Sequence, residues 1–311
     1  MSKQSFNIYL NDDFDGISSA AVFLYFINKK WPGKYKFKYS LAVFKPGYRE
    51  SWIRKKLSKP SAVFDFRYHP DADWWFDHHG TSFIFEAQKK SFKSTKQKVW
   101  DEDSKSCCGL VLKHLAKSFN FEFPGYLKKL ARQADIIDAA GYKSARHALM
   151  PEEDAIKFSN FLPLGFTSGE AGVWVEKLSS EPMAKVVSIG SVRSRIKKAE
   201  KVIVESIENA RNNSRILGKT ILLFGGKVFS RFAVYYVYPK VPYAVIVSDK
   251  SGYYHIGAGK NPWLKIKNQK DLSKIMKEFG GGGHLNVGAT EVKTKKEALQ
   301  IAQKVVEILN K

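Results

Sequence analysis

Two hydrophobic periods alternate along the first half of the chain. Residues 6–10 form a short apolar, β-prone run that breaks into the acidic stretch 11–16, and residues 17–27 then carry apolar side chains at helical spacing. That order reads as strand, loop and helix. Further β-prone runs cover residues 35–44, 62–66 and 74–76, with helical or loop segments between them. Strands interleaved with helices in this way predict an α/β domain built on a mostly parallel sheet. Helical patterns follow at 108–119 and 126–139, and a long charged helix is predicted over 192–212, where Ile196, Ala199, Ile203 and Ile207 recur at helical spacing. Beyond it, residues 220–224, 231–237, 243–247 and 253–257 read as strands, and 271–279 and 295–309 as helices on either side of a glycine run. The predicted organisation is an N-terminal domain over 1–190, a connector helix over 191–216 and a smaller α/β domain over 217–311. No internal repeat is visible, and the basic stretch 89–98 reads as an exposed loop.

Charge adds a direction to this picture. Among 311 residues, 52 Lys and Arg stand against 30 Asp and Glu, a net charge of +22, and such a field attracts polyanions. A nucleotide or nucleic-acid partner follows from that reading; lysines serving only solubility would give the same count, because composition does not locate the charge. The first ten residues lack the pattern of a secretory signal, and no segment approaches the apolar length of a membrane span, so no membrane partner is expected. The two cysteines, Cys107 and Cys108, are adjacent, which excludes a disulfide framework and leads us to expect a reducing, cytoplasmic setting.

The chemistry concentrates at predicted strand ends. Asp13 and Asp15 follow the first strand, Asp65 sits in the third, and Asp77, His78 and His79 follow the fourth. Ligands of open parallel sheets bind outside the carboxyl ends of the strands, so residues distant in sequence converge there. Clustered carboxylates repel one another unless some are protonated or a cation neutralises them. Carboxylate oxygens with an imidazole or two suit a divalent ion, Mn²⁺ or Mg²⁺ first and Zn²⁺ next. Two such ions about 4 Å apart clamp a phosphoryl group and lower the pKa of a bound water, which is the chemistry of phosphate-ester hydrolysis. Each element also has a plain structural reading. Asp-Asp-Phe-Asp-Gly is a common kind of turn, and Asp-His-His could be a capping cluster, but Asp65 in an apolar strand would be costly without a partner.

Taken together these residues resemble the DHH phosphoesterase superfamily, which includes RecJ exonucleases, nanoRNases, cyclic-dinucleotide phosphodiesterases and inorganic pyrophosphatases. Asp77-His78-His79-Gly80 matches the triplet that names it. Asp13-Phe14-Asp15-Gly16, followed by Ser18, Ser19, Ala20 and Ala21, matches the first motif, and Asp65 after Ala62-Val63-Phe64 the second. Ala134-Asp135 is the best match to the fourth, with Asp138 as a rival. The resemblance implies that Asp13, Asp15, Asp65, His78 and Asp135 ligate metal, one or two ions of Mn²⁺ or Mg²⁺, that His79 contacts the scissile phosphate, and that Asp77 orients the histidines. The chain departs from the pattern at two places. Tyr9 stands where many relatives carry a histidine ligand, and Asn11 where some have His or Asp.

Phe279-Gly280-Gly281-Gly282-Gly283-His284 resembles the Gly-Gly-Gly-His signature of the DHH-associated C-terminal domain. Consecutive glycine amides can form an anion nest, so Gly281, Gly282, Gly283 and His284 are expected to bind substrate; a flexible turn is the plain alternative. The signature disfavours the pyrophosphatase branch. Tyr253, Tyr254 and Trp263 could stack on bases, and the basic face from Arg193 to Lys201 could hold phosphates if it lines a cleft. The expected function is metal-dependent hydrolysis of short single-stranded oligonucleotides or dinucleotides to nucleoside monophosphates. One alternative is a RecJ-like exonuclease on longer single-stranded DNA or RNA. The other is a non-catalytic nucleic-acid-binding protein with a degenerate metal site.

Overall fold

The computed structural model describes residues 3–43, 48–225, 229–250 and 252–311, with the side chains of Glu50 and His284 outside that description. The chain divides into two compact units, residues 1–141 with 152–196, and residues 142–151 with 197–311. The segment 142–151, which lies inside the range expected for the N-terminal domain, therefore packs with the second unit.

The first unit begins with β1 (Gln4–Asn11), α1 (Phe14–Lys30), β2 (Tyr35–Ala42), α2 (Tyr48–Arg54), β3 (Ser61–Phe64), β4 (Trp74–Asp77), α3 (Glu86–Ser91) and β5 (Lys98–Trp100). Its five strands lie in the order β2-β1-β3-β4-β5, every neighbouring pair parallel. The strand expected over 35–44 ends at Ala42, and Phe44 lies outside the described residues. The stretch 89–98 is less of a loop than its charge suggested, since α3 runs to Ser91 and β5 starts at Lys98. All four residues of β3 and of β4 are buried, which is why they read as continuous apolar runs and not as alternation. Phe23, Phe64 and Trp74 pack ring against ring on one side of this sheet.

Helix α1 starts where it does because Asp13, in extended backbone, accepts a hydrogen bond from the Gly16 amide at 2.9 Å. It is buried nearly all round, as expected of a central helix, and packs on α4 (Cys107–Phe119), α5 (Gly125–Asp138) and, further along the chain, α8 (Ser168–Ser180). A Cβ at position 16 would lie 2.5 Å from the Asn11 carbonyl oxygen and 2.7 Å from its nitrogen, so glycine is what lets α1 begin against the end of β1. Gly16→Ala is expected to destabilise the chain by about 1–3 kcal/mol, the usual cost of overpacking, and its denaturation midpoint measures this. An unchanged midpoint would mean that the two backbones separate freely.

Between these helices the chain forms α6 (Ala145–Leu149) and α7 (Asp154–Phe161), and after α8 come α9 (Met183–Val187) and α10 (Gly190–Asn213). In the second unit follow β6 (Ser214–Leu217), β7 (Thr220–Phe224), α11 (Phe232–Val237), β8 (Tyr243–Asp249), β9 (Tyr254–Lys260), α12 (Leu272–Lys277), β10 (Gly282–His284), β11 (Val287–Val292) and α13 (Lys295–Asn310). Its sheet runs β10-β11-β9-β8-β7-β6 and is mixed, with β7 and β8 parallel and the other pairs antiparallel. Val245, Val247 and Ile256 bury one face against Leu272, Val305 and other residues of α12 and α13. Ala244 and Ile246 bury the other against Ala145, Leu149, Ile203, Ile207 and Val234.

Residues 231–237, expected as a strand, form helix α11 instead. The run Phe-Ala-Val-Tyr-Tyr-Val is apolar throughout, so its composition carries β propensity but no period that separates strand from buried helix. Packing decided it: the helical turn buries Ala233, Val234 and Tyr235 together, and the Tyr238 amide closes the helix on the Val234 carbonyl at 2.9 Å.

Candidate metal centre

The first-motif residues leave β1, Asp65 leaves β3, and Asp77, His78 and His79 leave β4, so all emerge from the carboxyl ends of three adjacent parallel strands. Asp65 is fully buried and adopts a left-handed backbone with φ of 56°, a conformation costly for a residue with a side chain. Its amide still donates to the Phe76 carbonyl at 2.9 Å, which holds the kinked residue against β4.

His78 stands at the middle of the cluster. Its Nε2 lies 3.6 Å from Asp15 Oδ2, 3.6 Å from Asp65 Oδ1 and 3.3 Å from Asp138 Oδ2. Its Nδ1 lies 2.9 Å from the Ser104 carbonyl, which can only accept, so Nδ1 carries a proton and Nε2 faces the carboxylates. Both Nε2 of His78 and Oδ1 of Asp65 are buried without a hydrogen-bond partner. Asp77, buried at the end of β4, accepts from the ring Nδ1 of His79 at 2.8 Å, from the His78 amide at 2.8 Å and from Ser82 Oγ at 2.5 Å. That set fixes the His79 ring with its Nε2 directed away from Asp77.

Asp15 is gripped by the start of α4. Ser106 caps that helix, and the Cys107 and Cys108 amides donate to the two Asp15 oxygens at 2.6 and 2.8 Å. A helix N-terminus is a natural seat for a carboxylate. The cysteines are buried, as expected of packing residues, but their backbone does what their side chains do not.

The electrostatics are unfavourable for carboxylates alone. Burial, then repulsion from Asp138, pushes Asp15 up to about 8 and Asp13 up to about 6. Asp65 is held well above the usual carboxylate range by burial and by its neighbours Asp13 and Asp15. For His78, burial is the largest single influence and favours the neutral ring, but Asp138, Asp65 and Asp15 together outweigh it and push it up to about 12. The cluster calls for positive charge at Nε2 of His78, a proton or a metal ion.

The residue set differs from the sequence expectation in one member. Asp135 lies half-buried on α5 and its carboxylate accepts from Ser106 Oγ at 2.6 Å, one turn before Asp138 brings its own carboxylate to His78. Asp13, Asp15, Asp65, Asp77, His78 and His79 are brought together; Asp135 serves the cap of α4, and Asp138 stands in the cluster. Ser104 and Ser106 were not singled out from the sequence, where they are two of several polar residues in a loop with no periodicity. Tyr9 does not approach the site. Its ring is buried beside Trp52, with centroids 5.9 Å apart, and Asn11 is the residue that reaches Asp13 and Asp65.

In the second unit the glycine run is shaped by backbone packing. The Gly280 and Gly281 amides close α12 on the Lys277 and Met276 carbonyls at 3.1 and 2.9 Å, so of the residues expected in the nest Gly281 has its amide engaged within the chain. A Cβ on Gly281 would lie 2.1 Å from the Ala289 oxygen, and one on Gly283, at φ of 148°, would lie 2.2 Å from the Val287 oxygen. Gly282, Gly283 and the backbone of His284 pair with β11, and the His284 side chain lies outside the described residues. Beside them a cavity of about 280 Å³ is lined by Arg231, Ser248, Lys250, His255 and Gly257, among others. Trp263 packs on Phe232 and Tyr235 and donates from Nε1 to the Tyr142 carbonyl at 2.7 Å, a structural placement that leaves base stacking unneeded to explain it.

Comparison with known proteins places this fold. No protein-family model and no curated protein matches the chain. Solved structures do, and the likeness is one of fold. The pGpG-specific phosphodiesterase PggH from Vibrio cholerae matches with a TM-score of 0.72 over 99% of both chains, at 13% identity. RecJ from Thermus thermophilus, solved with Mn²⁺, matches at 0.54 and 11% identity, covering 98% of this chain and 52% of RecJ. An exopolyphosphatase-related protein from Bacteroides fragilis matches at 0.50 and 13% identity, over 99% of this chain and 93% of that one. Among the described residues no helix is long and apolar enough to cross a membrane.

Proposed function

We propose that the chain is a metal-dependent phosphodiesterase that hydrolyses short single-stranded oligonucleotides or dinucleotides to nucleoside monophosphates. The observation that carries this is the pair of partnerless buried atoms, His78 Nε2 and Asp65 Oδ1, set among further carboxylates at 3.3–3.6 Å. Ligand atoms at about 2.1 Å from one ion lie about 3.0–3.6 Å from each other, so the distances from His78 Nε2 to its carboxylate neighbours suit a divalent cation such as Mn²⁺ or Mg²⁺. Asp15, His78 and Asp138 form one group that could hold it and Asp65, His78 and His79 another, and His78 Nε2, common to both, lies within 3.3–3.6 Å of Asp15, Asp65 and Asp138. When bound, a divalent ion polarises a phosphoryl oxygen and lowers the pKa of a water beside it.

The chain's own residues do the rest. Asp77 accepts from Nδ1 of His79 and so fixes the ring, and in the protonated ring Nε2 would donate to a non-bridging phosphate oxygen. The Ser104 carbonyl holds His78 through Nδ1, so that Nε2 would be the atom offered to an ion. Asp13 sits at the edge of a cavity of about 420 Å³ that also takes in Asp12, Leu41, Ser159 and Phe166, a space suited to one nucleotide of a short substrate. In the second unit Arg231, Lys250 and His255 line a cavity of their own and offer charge and hydrogen bonds to a phosphate, and burial, then Lys250, lowers the pKa of His255. Activity toward linear dinucleotides is in keeping with the likeness to PggH. A second reading, exonuclease action on longer single strands, is favoured by the net charge of +22.

Hydrolysis of a labelled dinucleotide and a labelled long single strand, each with Mn²⁺, Mg²⁺ and chelator, tests both. Faster turnover of the dinucleotide supports the first reading and faster turnover of the long strand the second. Salt-sensitive binding with no turnover under any metal would mean a non-catalytic binding protein. The same assay separates the two aspartates of α5. Asp138→Asn is expected to lower activity by at least about 100-fold, whereas Asp135→Asn, which alters only the Ser106 contact, stays within about tenfold. The reverse order would return Asp135 to the centre.

A further inference from the structure

Asn11 ends β1, is 6% exposed, and bridges two carboxylates with one amide nitrogen. Its Nδ2 donates to Asp13 Oδ2 at 2.9 Å and to Asp65 Oδ2 at 3.0 Å. The orientation of the amide is fixed independently, because Asn11 Oδ1 accepts from the Asp12 backbone amide at 3.0 Å. Rotating the amide by half a turn would set two N–H donors against each other at Asp12 and oxygen against oxygen at both carboxylates, so the nitrogen end belongs where it is. Both protons of that nitrogen are thereby used. A cation between Asp13 and Asp65 would need oxygen donors directed at the same point, and Asn11 presents hydrogens there.

We infer that the Asn11 amide occupies, as a neutral hydrogen-bond bridge, the position between Asp13 and Asp65 that one ion of a pair would take, so that this centre holds a single divalent ion. Three features converge on this. The bridge ties together Oδ2 of Asp13 and Oδ2 of Asp65, while the other Asp65 oxygen, Oδ1, is turned to His78 and has no hydrogen-bond partner. Asp65 therefore divides its two oxygens between the amide and the ion place. The second oxygen of Asp13 is also committed, to the Gly16 amide at the start of α1. The side chain at position 9, the other place from which β1 could supply a ligand, is a tyrosine buried against Trp52. The ion place that remains is bounded by Asp15, Asp65, His78 and Asp138, each offering one atom within 3.3–3.6 Å of His78 Nε2 or being that atom's own ring. Asn11 is then a specificity-determining residue for metal count: it positions Asp13 and Asp65 without touching the ion.

The inference rests on the metal-dependent reading above, and its test reads ion number independently of turnover. The full-length chain, stripped with chelator and desalted, is titrated with Mn²⁺ by calorimetry, and the bound ion is examined by electron paramagnetic resonance. One tight ion per chain with the spectrum of an isolated Mn²⁺ is expected. Asn11→Asp replaces the donor with a carboxylate oxygen, and a second tight ion with spin coupling between the two is expected to appear. Two tight, coupled ions in the unaltered chain would overturn the inference while leaving the metal-dependent reading intact. So would a folded Asn11→Asp chain that still takes one ion. Should Asn11→Asp fail to fold, Asn11→Ala, which removes the bridge and leaves the place open, is expected to gain the second ion at lower affinity; one ion only in that chain overturns the inference. No tight ion in the unaltered chain would remove the metal-dependent reading itself.

Discussion

His78→Ala is expected to lower metal-dependent hydrolysis by on the order of 10³-fold, with the fold retained. Nε2 of the ring faces Asp15, Asp65 and Asp138 at once. Metal assistance supplies several kcal/mol of transition-state stabilisation, and about 4 kcal/mol corresponds to about 10³ in rate. The ring is 10% exposed and its Nδ1 bond to the Ser104 carbonyl ends in a loop, so its loss leaves the sheet and α1 untouched. Rates on a labelled dinucleotide with Mn²⁺, beside near-ultraviolet circular dichroism of both chains, measure this. A variant within tenfold of the parent would show that His78 neither ligates nor positions the ion. The same variant should lose the gain in melting temperature on adding Mn²⁺, a readout that does not depend on substrate.

The second large effect concerns pH and metal together. Asp13 is pushed up to about 6 and Asp15 up to about 8, both above the value of about 3.9 for an unfolded aspartate. A carboxyl whose folded pKa is raised binds more protons folded than unfolded. Its contribution to stability is present below about pH 4 and is lost as pH rises through the folded value. The raised His78 acts in the same sense, but its loss falls near pH 12, outside the working range. With chelator present, the cluster therefore costs increasing stability between pH 6 and pH 8. A bound divalent ion replaces those protons, and the ligands must be ionised to hold it. Mn²⁺ at about 100 times its dissociation constant adds about 2.7 kcal/mol, or about 5–10 °C in melting temperature for a unit of this size. The gain is expected to be larger at pH 8 than at pH 6. Melting curves with Mn²⁺ and with chelator at both pH values check it; a gain that shrinks with pH would place the ion elsewhere on the chain.

Much of this protein is decided along the sequence. Strands β1, β3 and β4 are visible because strands covered on both faces of a parallel sheet must be apolar throughout, and 62–66 and 74–76 are. Asp65, Asp77, His78 and His79 are conspicuous for the same reason, being polar groups where an apolar run ends. Gly16 follows from the motif, and the approach to the Asn11 backbone explains it. The choices left to tertiary structure are those where two local answers cost nearly the same. Asp135 and Asp138 lie three residues apart on one side of α5, and only the docking of that helix on α4 sends the first to Ser106 and the second to His78. The apolar run 231–237 has no period of its own, and it became a helix because the turn buries Ala233, Val234 and Tyr235 together. Asn11 could have ligated through oxygen or bridged through nitrogen, and one backbone N–H at Asp12, fixed by the end of β1, settles which end faces the carboxylates. Local pattern determines which elements form and which residues are polar; the direction in which a carboxylate or an amide points is a property of packing between elements, which no single segment encodes.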